Sequence, residues 1–201
     1  MTIDLFPVKI YKVKYEHNLT DLFRSLSTYI DFENIKNNNQ GSMRGEGICS
    51  YVNRRDLHEL PEFQILKSFI ENHAKIYWQQ LGYNEYYNPK VIEMWCNIYR
   101  KDSFIDLHNH APRTLTSSFY LRKKSKIGNI VFEHPLSTLL KHQPYYIDKN
   151  NYHELFEEEI DAESGDLIIF PGWLNHKTLP NGDNDRVMIG TNICSEFPNR
   201  N

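Results

Sequence analysis

Asp166-Leu-Ile-Ile-Phe-Pro-Gly-Trp-Leu-Asn-His176 begins with an apolar run that Pro171 and Gly172 cut short. A run this brief, closed by turn formers, fits a strand better than a helix. The same signature recurs at Val91–Tyr99, Phe104–His108, Leu115–Leu121, Asn129–Phe132 and Arg186–Ile193, all β-branched or aromatic and separated by turn residues. The C-terminal half therefore reads as mostly sheet. Asn181-Gly182, between the segment ending at His176 and the strand starting at Arg186, predicts a tight return that makes those two strands neighbours. Residues 133–163 interrupt the strands with prolines, aromatic residues and an acidic run, Glu157 to Glu159, which reads as a solvated face. Long insertions of this kind in a sheet are often functional.

Upstream the pattern changes. Val8, Ile10, Tyr11 and Val13 among lysines make Leu5–Tyr15 a first strand at a sheet edge, where lysines discourage mispairing. Leu22, Phe23, Leu26 and Ile30 recur at helical spacing, so residues 20–31 read as an amphipathic helix capped by Thr20. The run Asn37–Asn39, followed by Gly41, Gly45 and Gly47, reads as loop across 34–55. Pro61 suits a first helical turn, and Phe63, Leu66, Ile70, Ile76, Tyr77 and Leu81 then follow helical periodicity until Gly82 closes a second helix. Helices first, strands later and no βαβ alternation predict an α+β chain, mainly β: a jelly roll, or double-stranded β-helix, with flanking N-terminal helices.

The 201 residues suit a single domain, so the strand and helices of 1–90 are expected to pack on a jelly-roll core at 91–195. An aromatic share of 13% within 40% hydrophobic residues excludes a disordered chain. With 23 basic and 26 acidic residues, the net charge of −3 provides no global field for nucleic acid or an anionic membrane. Cys49, Cys96 and Cys194 are odd in number and lack any C-x-x-C, which argues against a disulfide framework and a structural zinc site. They read as buried apolar residues in a reducing cytoplasm. The N-terminal stretch does not resemble a signal peptide, and no apolar run approaches the roughly 18–20 residues that span a bilayer.

His108 and His110 stand two apart, a spacing that points both imidazoles to one face of a strand, where they can chelate one metal. Chance alone gives about 0.4 such pairs in a chain of this histidine content, so the pair by itself is weak. His176 lies near the end of a second β segment, and Arg186 begins the next strand ten residues later. Three ligands on one side of a metal leave adjacent positions open, the arrangement by which non-haem Fe(II) oxygenases admit a chelating cosubstrate and then dioxygen. The rigid fork of an arginine matches the far carboxylate of a dicarboxylate, here 2-oxoglutarate.

Taken together, Trp95-Cys-Asn97, His108-x-His110, Leu115-Thr-Ser-Ser-Phe-Tyr120, Gly165-Asp-Leu-Ile-Ile-Phe-Pro171, Trp173-Leu-x-His176 and Arg186-Val-Met-Ile-Gly-Thr-Asn192 resemble the 2-oxoglutarate/Fe(II) oxygenases of bacteria and phages, a branch of the double-stranded β-helix dioxygenases. The resemblance spans roughly residues 91–194. It implies that His108, His110 and His176 are the Fe(II) ligands, that Arg186 pairs with the distal carboxylate of 2-oxoglutarate, and that Tyr120 and Asn97 line the pocket. Dioxygen is the second cosubstrate. The implied activity is hydroxylation of a peptidyl side chain or a small metabolite, with Phe170, Trp173 and Met188 keeping water out. The 133–163 insertion or the 36–55 loop is then expected to close over substrate, and Tyr145, Tyr146 and Tyr152 of the insertion can line a peptide or ring pocket or serve as packing. The chain departs from the wider superfamily at His110, where a carboxylate is usual, and at Thr116-Ser117, where Ser-Gly is common.

Simpler roles exist for each residue. His108 and His110 can be surface histidines, with Asp106 as a reserve ligand on the same strand face; His176 can be a core histidine bonded to backbone. Arg186 can pair with Asp183 or Asp185. His134, His142 and His153 have no partner spacing. The competing functions are a cupin-like three-histidine enzyme without 2-oxoglutarate and a non-catalytic β-sandwich that binds a ligand; dependence on 2-oxoglutarate and on Arg186 separates them.

Overall fold

The computed structural model of the chain describes residues 7–30, 42–140 and 156–196. In chain order the elements are β1 (Tyr11–Lys14), α1 (Leu19–Tyr29), β2 (Met43–Arg44), β3 (Ile48–Cys49), two 3-10 turns (Leu57–Glu59 and Pro61–Phe63), α2 (Gln64–Gln80), β4 (Asn88–Tyr99), β5 (Phe104–Ile105), β6 (Leu115–Arg122), β7 (Ile130–Glu133), α3 (Ser137–Leu140), β8 (Glu157–Ile160), β9 (Asp166–Pro171), β10 (His176–Thr178) and β11 (Arg186–Glu196). Strands β1-β9-β6-β11-β4-β3 form a six-stranded sheet, β10-β7-β8 a second sheet, and β2 pairs with β5. All of these pairings are antiparallel. This is the mainly β jelly roll that the strand pattern predicts.

Side-chain alternation gives the large sheet two apolar faces. Met94, Cys96 and Ile98 of β4, Leu167 and Ile169 of β9, and Val187, Ile189 and Ile193 of β11 pack with Leu22 and Leu26 of α1 and Leu66, Ile70, Ala74 and Tyr77 of α2. The residues between them, Tyr99, Ile168, Phe170 and Met188, face Ile130 and Phe132 of the smaller sheet. The helices thus cover one face, and the other closes on the second sheet around the cavity described below.

Several expectations change. Asn18, not Thr20, caps α1: its Oδ1 accepts from the N–H groups of Thr20 (2.9 Å) and Asp21 (3.4 Å). Asn181-Gly182 does not make neighbours of the strands it joins, because β10 pairs with β7 while β11 pairs with β4 and β6. The buried Asn181 donates instead to the carbonyls of Tyr99 (2.8 Å) and Asn184 (2.9 Å), which fastens a crossing between sheets. Within the predicted 34–55 loop, β2 and β3 are strands that pair with β5 and β4. Glu157–Glu159 belong to strand β8, with Glu158 and Glu159 exposed as a solvated face requires, while Glu157 pairs with Lys177 at 2.6 Å and Glu159 accepts from Asn129 at 2.7 Å. Most of the 133–163 insertion, including His142, His153 and its three tyrosines, lies outside the described residues, as do residues 31–41. Among the described residues, no helix is long and apolar enough to cross a membrane.

Candidate active site

His108 and His176 face each other in an isolated antiparallel bridge, with N–H to carbonyl bonds of 3.0 and 2.9 Å in the two directions. His110 is fixed by a 2.7 Å bond from its N–H to the Gly172 carbonyl. The segment 108–110 therefore lies along the 172–176 segment, and the backbone itself brings together histidines that are remote in sequence. One ring nitrogen from each of His108, His110 and His176 lies within 4.8 Å of the others.

Each imidazole is oriented from behind. The Asp106 carbonyl lies 2.7 Å from Nδ1 of His108, the Leu174 carbonyl 3.0 Å from Nδ1 of His176, and Oδ1 of Asn192 2.7 Å from Nδ1 of His110. A carbonyl only accepts, so Nδ1 of His108 and of His176 carries the proton and Nε2 keeps a lone pair. Burial, then the neighbouring His108 and His110, holds the pKa of His176 well below its ordinary value. Burial, followed by His108, lowers that of His110 to about 4, and burial also lowers that of His108. At neutral pH the cluster is three uncharged imidazoles, the form that binds a divalent metal.

Asp106 does not join the cluster. Its carboxylate pairs with Arg44 at 2.6 Å and is 41% exposed, so the reserve-ligand expectation fails.

Arg186 is 1% exposed, and none of its three guanidinium nitrogens has a hydrogen-bond partner among the described residues. Asp183 pairs with Lys101 instead. The Arg186 guanidinium lies over the Tyr99 ring, 3.8 Å from its centroid, and beside Gly128, where a Cβ would come within 2.6 Å of it. A buried cation left without acceptors is costly, and an anionic ligand supplies what is missing. The hydroxyl of Tyr120 and Oδ1 of Asn97 are likewise buried and without a hydrogen-bond partner among the described residues. A metal with a bound dicarboxylate fits this donor set: lone pairs at three imidazoles and orphaned donors at a buried arginine.

The three histidines open on a cavity of about 410 Å³, with Tyr51, Trp95, Asn97, Arg113, Thr178 and Met188 among its walls. Phe170 packs edge-on against His176, 4.7 Å between centroids. Trp173, expected to shield the site, is 48% exposed and lies outside the cavity lining.

Two residues without a predicted role complete the site. Asn192 is buried beside His110, and its Nδ2 donates at 2.6 Å to Oε2 of the buried Glu93. The signal was present in the sequence: even spacing on a strand sets Asn192 on the face of Arg186 and Met188, and Glu93 on the face of Trp95 and Asn97.

The family model described as "Putative 2OG-Fe(II) oxygenase" matches residues 93–192. No curated protein matches the sequence. Among solved structures, a Pseudomonas putida prolyl-4-hydroxylase is similar at 13% identity, covering 93% of this chain and 92% of that one, with a TM-score of 0.57. HygX from Streptomyces hygroscopicus, with nickel, 2-oxoglutarate and hygromycin B bound, is similar at 12% identity over 93% and 83%, with a TM-score of 0.59. The non-heme alpha ketoglutarate dependent carbocyclase SnoK from nogalamycin biosynthesis is similar at 12% identity over 94% and 82%, with a TM-score of 0.61. At these identities the structural likeness is one of fold.

Proposed function

Because the chain belongs to the family of 2-oxoglutarate- and Fe(II)-dependent oxygenases, we propose that His108, His110 and His176 hold its iron and that Arg186 binds the distal carboxylate of 2-oxoglutarate. The observation that carries this reading is the buried guanidinium, without an acceptor among the described residues, in the same fold as a cluster of three neutral imidazoles. A cupin-like enzyme that uses no dicarboxylate has no need of such an arginine.

When bound, ferrous iron supplies the oxidising chemistry, in which dioxygen and 2-oxoglutarate are consumed, carbon dioxide and succinate leave, and one oxygen atom enters a C–H bond of the substrate. The chain's own residues bind and orient. The three histidines would hold the metal from one side and leave its other positions to cosubstrates. Arg186 fixes the far end of 2-oxoglutarate, with Asn97 of the cavity wall and the buried Tyr120 hydroxyl, outside the cavity lining, as further partners. Phe170 and Met188 keep bulk water from the reacting atoms. The cavity suits a peptidyl side chain or a small metabolite, and neither a membrane nor nucleic acid is assigned as a partner. We place the protein in the cytoplasm, where Cys49, Cys96 and Cys194, all free, stay reduced.

The test is anaerobic addition of Fe(II) and 2-oxoglutarate followed by dioxygen, with candidate substrates screened for succinate release. A visible charge-transfer band and succinate formation that depends on 2-oxoglutarate are expected. Oxygen consumption indifferent to 2-oxoglutarate, with Arg186→Ala behaving as the parent, overturns the assignment.

A further inference from the structure

Among the three histidines, only His110 takes its rear hydrogen bond from a side chain; His108 and His176 lean on backbone carbonyls that accept in one way only. The amide of Asn192 has two faces, and which of them meets His110 decides where the imidazole carries its proton. If Oδ1 faces the ring, Nδ1 is protonated and Nε2 is free; if the amide turns over, Nδ1 accepts, Nε2 carries the proton and cannot bind metal. Something must hold the amide. That residue is Glu93, whose carboxylate accepts from Nδ2 of Asn192 at 2.6 Å and can donate nothing. Glu93 is itself fixed on several sides: Arg113 at 3.3 Å, Arg55 at 3.6 Å and the Tyr51 hydroxyl at 3.4 Å. It is 8% exposed, and Asn192 is 3% exposed.

We propose that Glu93, acting through Asn192, is a tautomer lock that keeps Nε2 of His110 unprotonated and ready for metal. The proposal rests on the reading of His110 as a ligand. Glu93 and Asn192 are positioning residues: neither is one of the three ligands, and the Glu93 carboxylate stands two hydrogen bonds behind the imidazole. Such outer partners typically change metal affinity about 10–100-fold when removed.

The lock is read directly in metal-free protein by long-range ¹H–¹⁵N correlation spectra of ¹⁵N-histidine, with the His110 signals assigned by their loss in His110→Gln. In the parent, His110 is expected as the Nδ1–H form alone. Glu93→Gln is isosteric but can donate to Oδ1 of Asn192, so the amide is free to turn and the Nε2–H form appears. Asn192→Asp restores an acceptor-only group behind the ring, so the exchanged pair Glu93→Gln with Asn192→Asp returns His110 to Nδ1–H. Anaerobic Co(II) titration is expected to follow: roughly 10-fold weaker binding in Glu93→Gln and recovery in the exchanged pair. A purely structural role for Glu93 predicts no such recovery. An unchanged tautomer in Glu93→Gln, or no rescue in the exchanged pair, overturns the lock and leaves the metal reading intact. If the parent itself takes up no Co(II), the ligand reading falls, and the inference falls with it whatever the tautomer spectra show. Should Glu93→Gln fail to fold, Asn192→Leu against Asn192→Asp poses the same question, with the Nε2–H form expected only in the former.

Discussion

Arg186 is the residue on which structure and chemistry make opposite demands. A guanidinium 1% exposed and without an acceptor among the described residues weakens the free protein, since burial of an unpaired charge is among the more expensive features a fold can carry. On the proposed reading, the same absence would give a dicarboxylate a desolvated, charge-assisted partner. Arg186→Met keeps the volume and removes the charge, so two effects of opposite sign are expected. The melting temperature without cosubstrate should not fall. The KM for 2-oxoglutarate should rise roughly 30-fold or more, corresponding to about 2–5 kcal/mol for the loss of one member of a buried, hydrogen-bonded charge pair. Succinate assays and thermal scans on one preparation check both; a collapsed melting temperature with an unchanged KM would make Arg186 a structural residue only.

At the scale of elements, the site depends on how closely two segments approach. A Cβ at Gly172 would lie 2.1 Å from the Arg113 carbonyl oxygen, while the Gly172 N–H donates to Thr114 at 3.0 Å and its carbonyl accepts from His110 at 2.7 Å. Gly172→Ala is therefore expected to push the 110–114 segment off its partner, lowering stability by about 2–3 kcal/mol and weakening metal binding with it; denaturant midpoints and Co(II) titration measure the two losses. β1 illustrates a second kind of fastening. Burial raises the pKa of Asp166, but the Glu163 N–H and the ion pairs to Lys12 (3.1 Å) and Lys14 (3.2 Å) outweigh it, and the net shift is downward. A carboxyl whose pKa is lower in the folded state adds stability above its unfolded value of about 3.9, and that stability is lost as pH falls through the folded value. Asp166→Asn should cost about 1 kcal/mol at neutral pH, because the lysines are half exposed and screened, and the cost should vanish in strong acid. An equal loss at pH 7 and in strong acid would mean that the amide geometry, not the charge, fastens the edge strand. These elements were unequally legible in the sequence. Alternation along Val91–Tyr99 and Arg186–Ile193 announced the strands and their faces, and His-x-His announced a shared direction. The approach of 108–110 to 172–176 was not announced, because Pro171-Gly172 reads as a strand terminator whether or not another backbone lies against it. Asn181-Gly182 misled for a related reason: turn chemistry is local, whereas the choice between returning to the same sheet and crossing to the other is made by the distant Tyr99 carbonyl that Asn181 reaches.

Across the whole molecule, the helices and the site lie on opposite sides of one sheet and are joined through it. Leu26, Leu66, Ile70 and Tyr77 share a buried cluster with Met94, Cys96, Ile189 and Ile193, strand residues whose neighbours along β4 and β11 face the cavity. The helices bury their apolar faces only in that shared cluster among the described residues, so we expect residues 1–90 and 91–195 to unfold in a single cooperative transition rather than as two units. Ligands bound only by the folded chain must then raise the stability of all of it. At about 100 times Kd, each contributes about 2.7 kcal/mol, and at about 2–4 °C per kcal/mol for a chain of this size, Ni(II) with 2-oxoglutarate should shift the melting temperature upward by roughly 11–22 °C. His110→Ala should remove most of that shift while leaving one transition, because the substitution takes away a ligand and leaves the shared core in place. Calorimetry decides the matter: two resolved transitions, only one of them sensitive to the added ligands, would show that the helical layer and the jelly roll are energetically separate despite their common face.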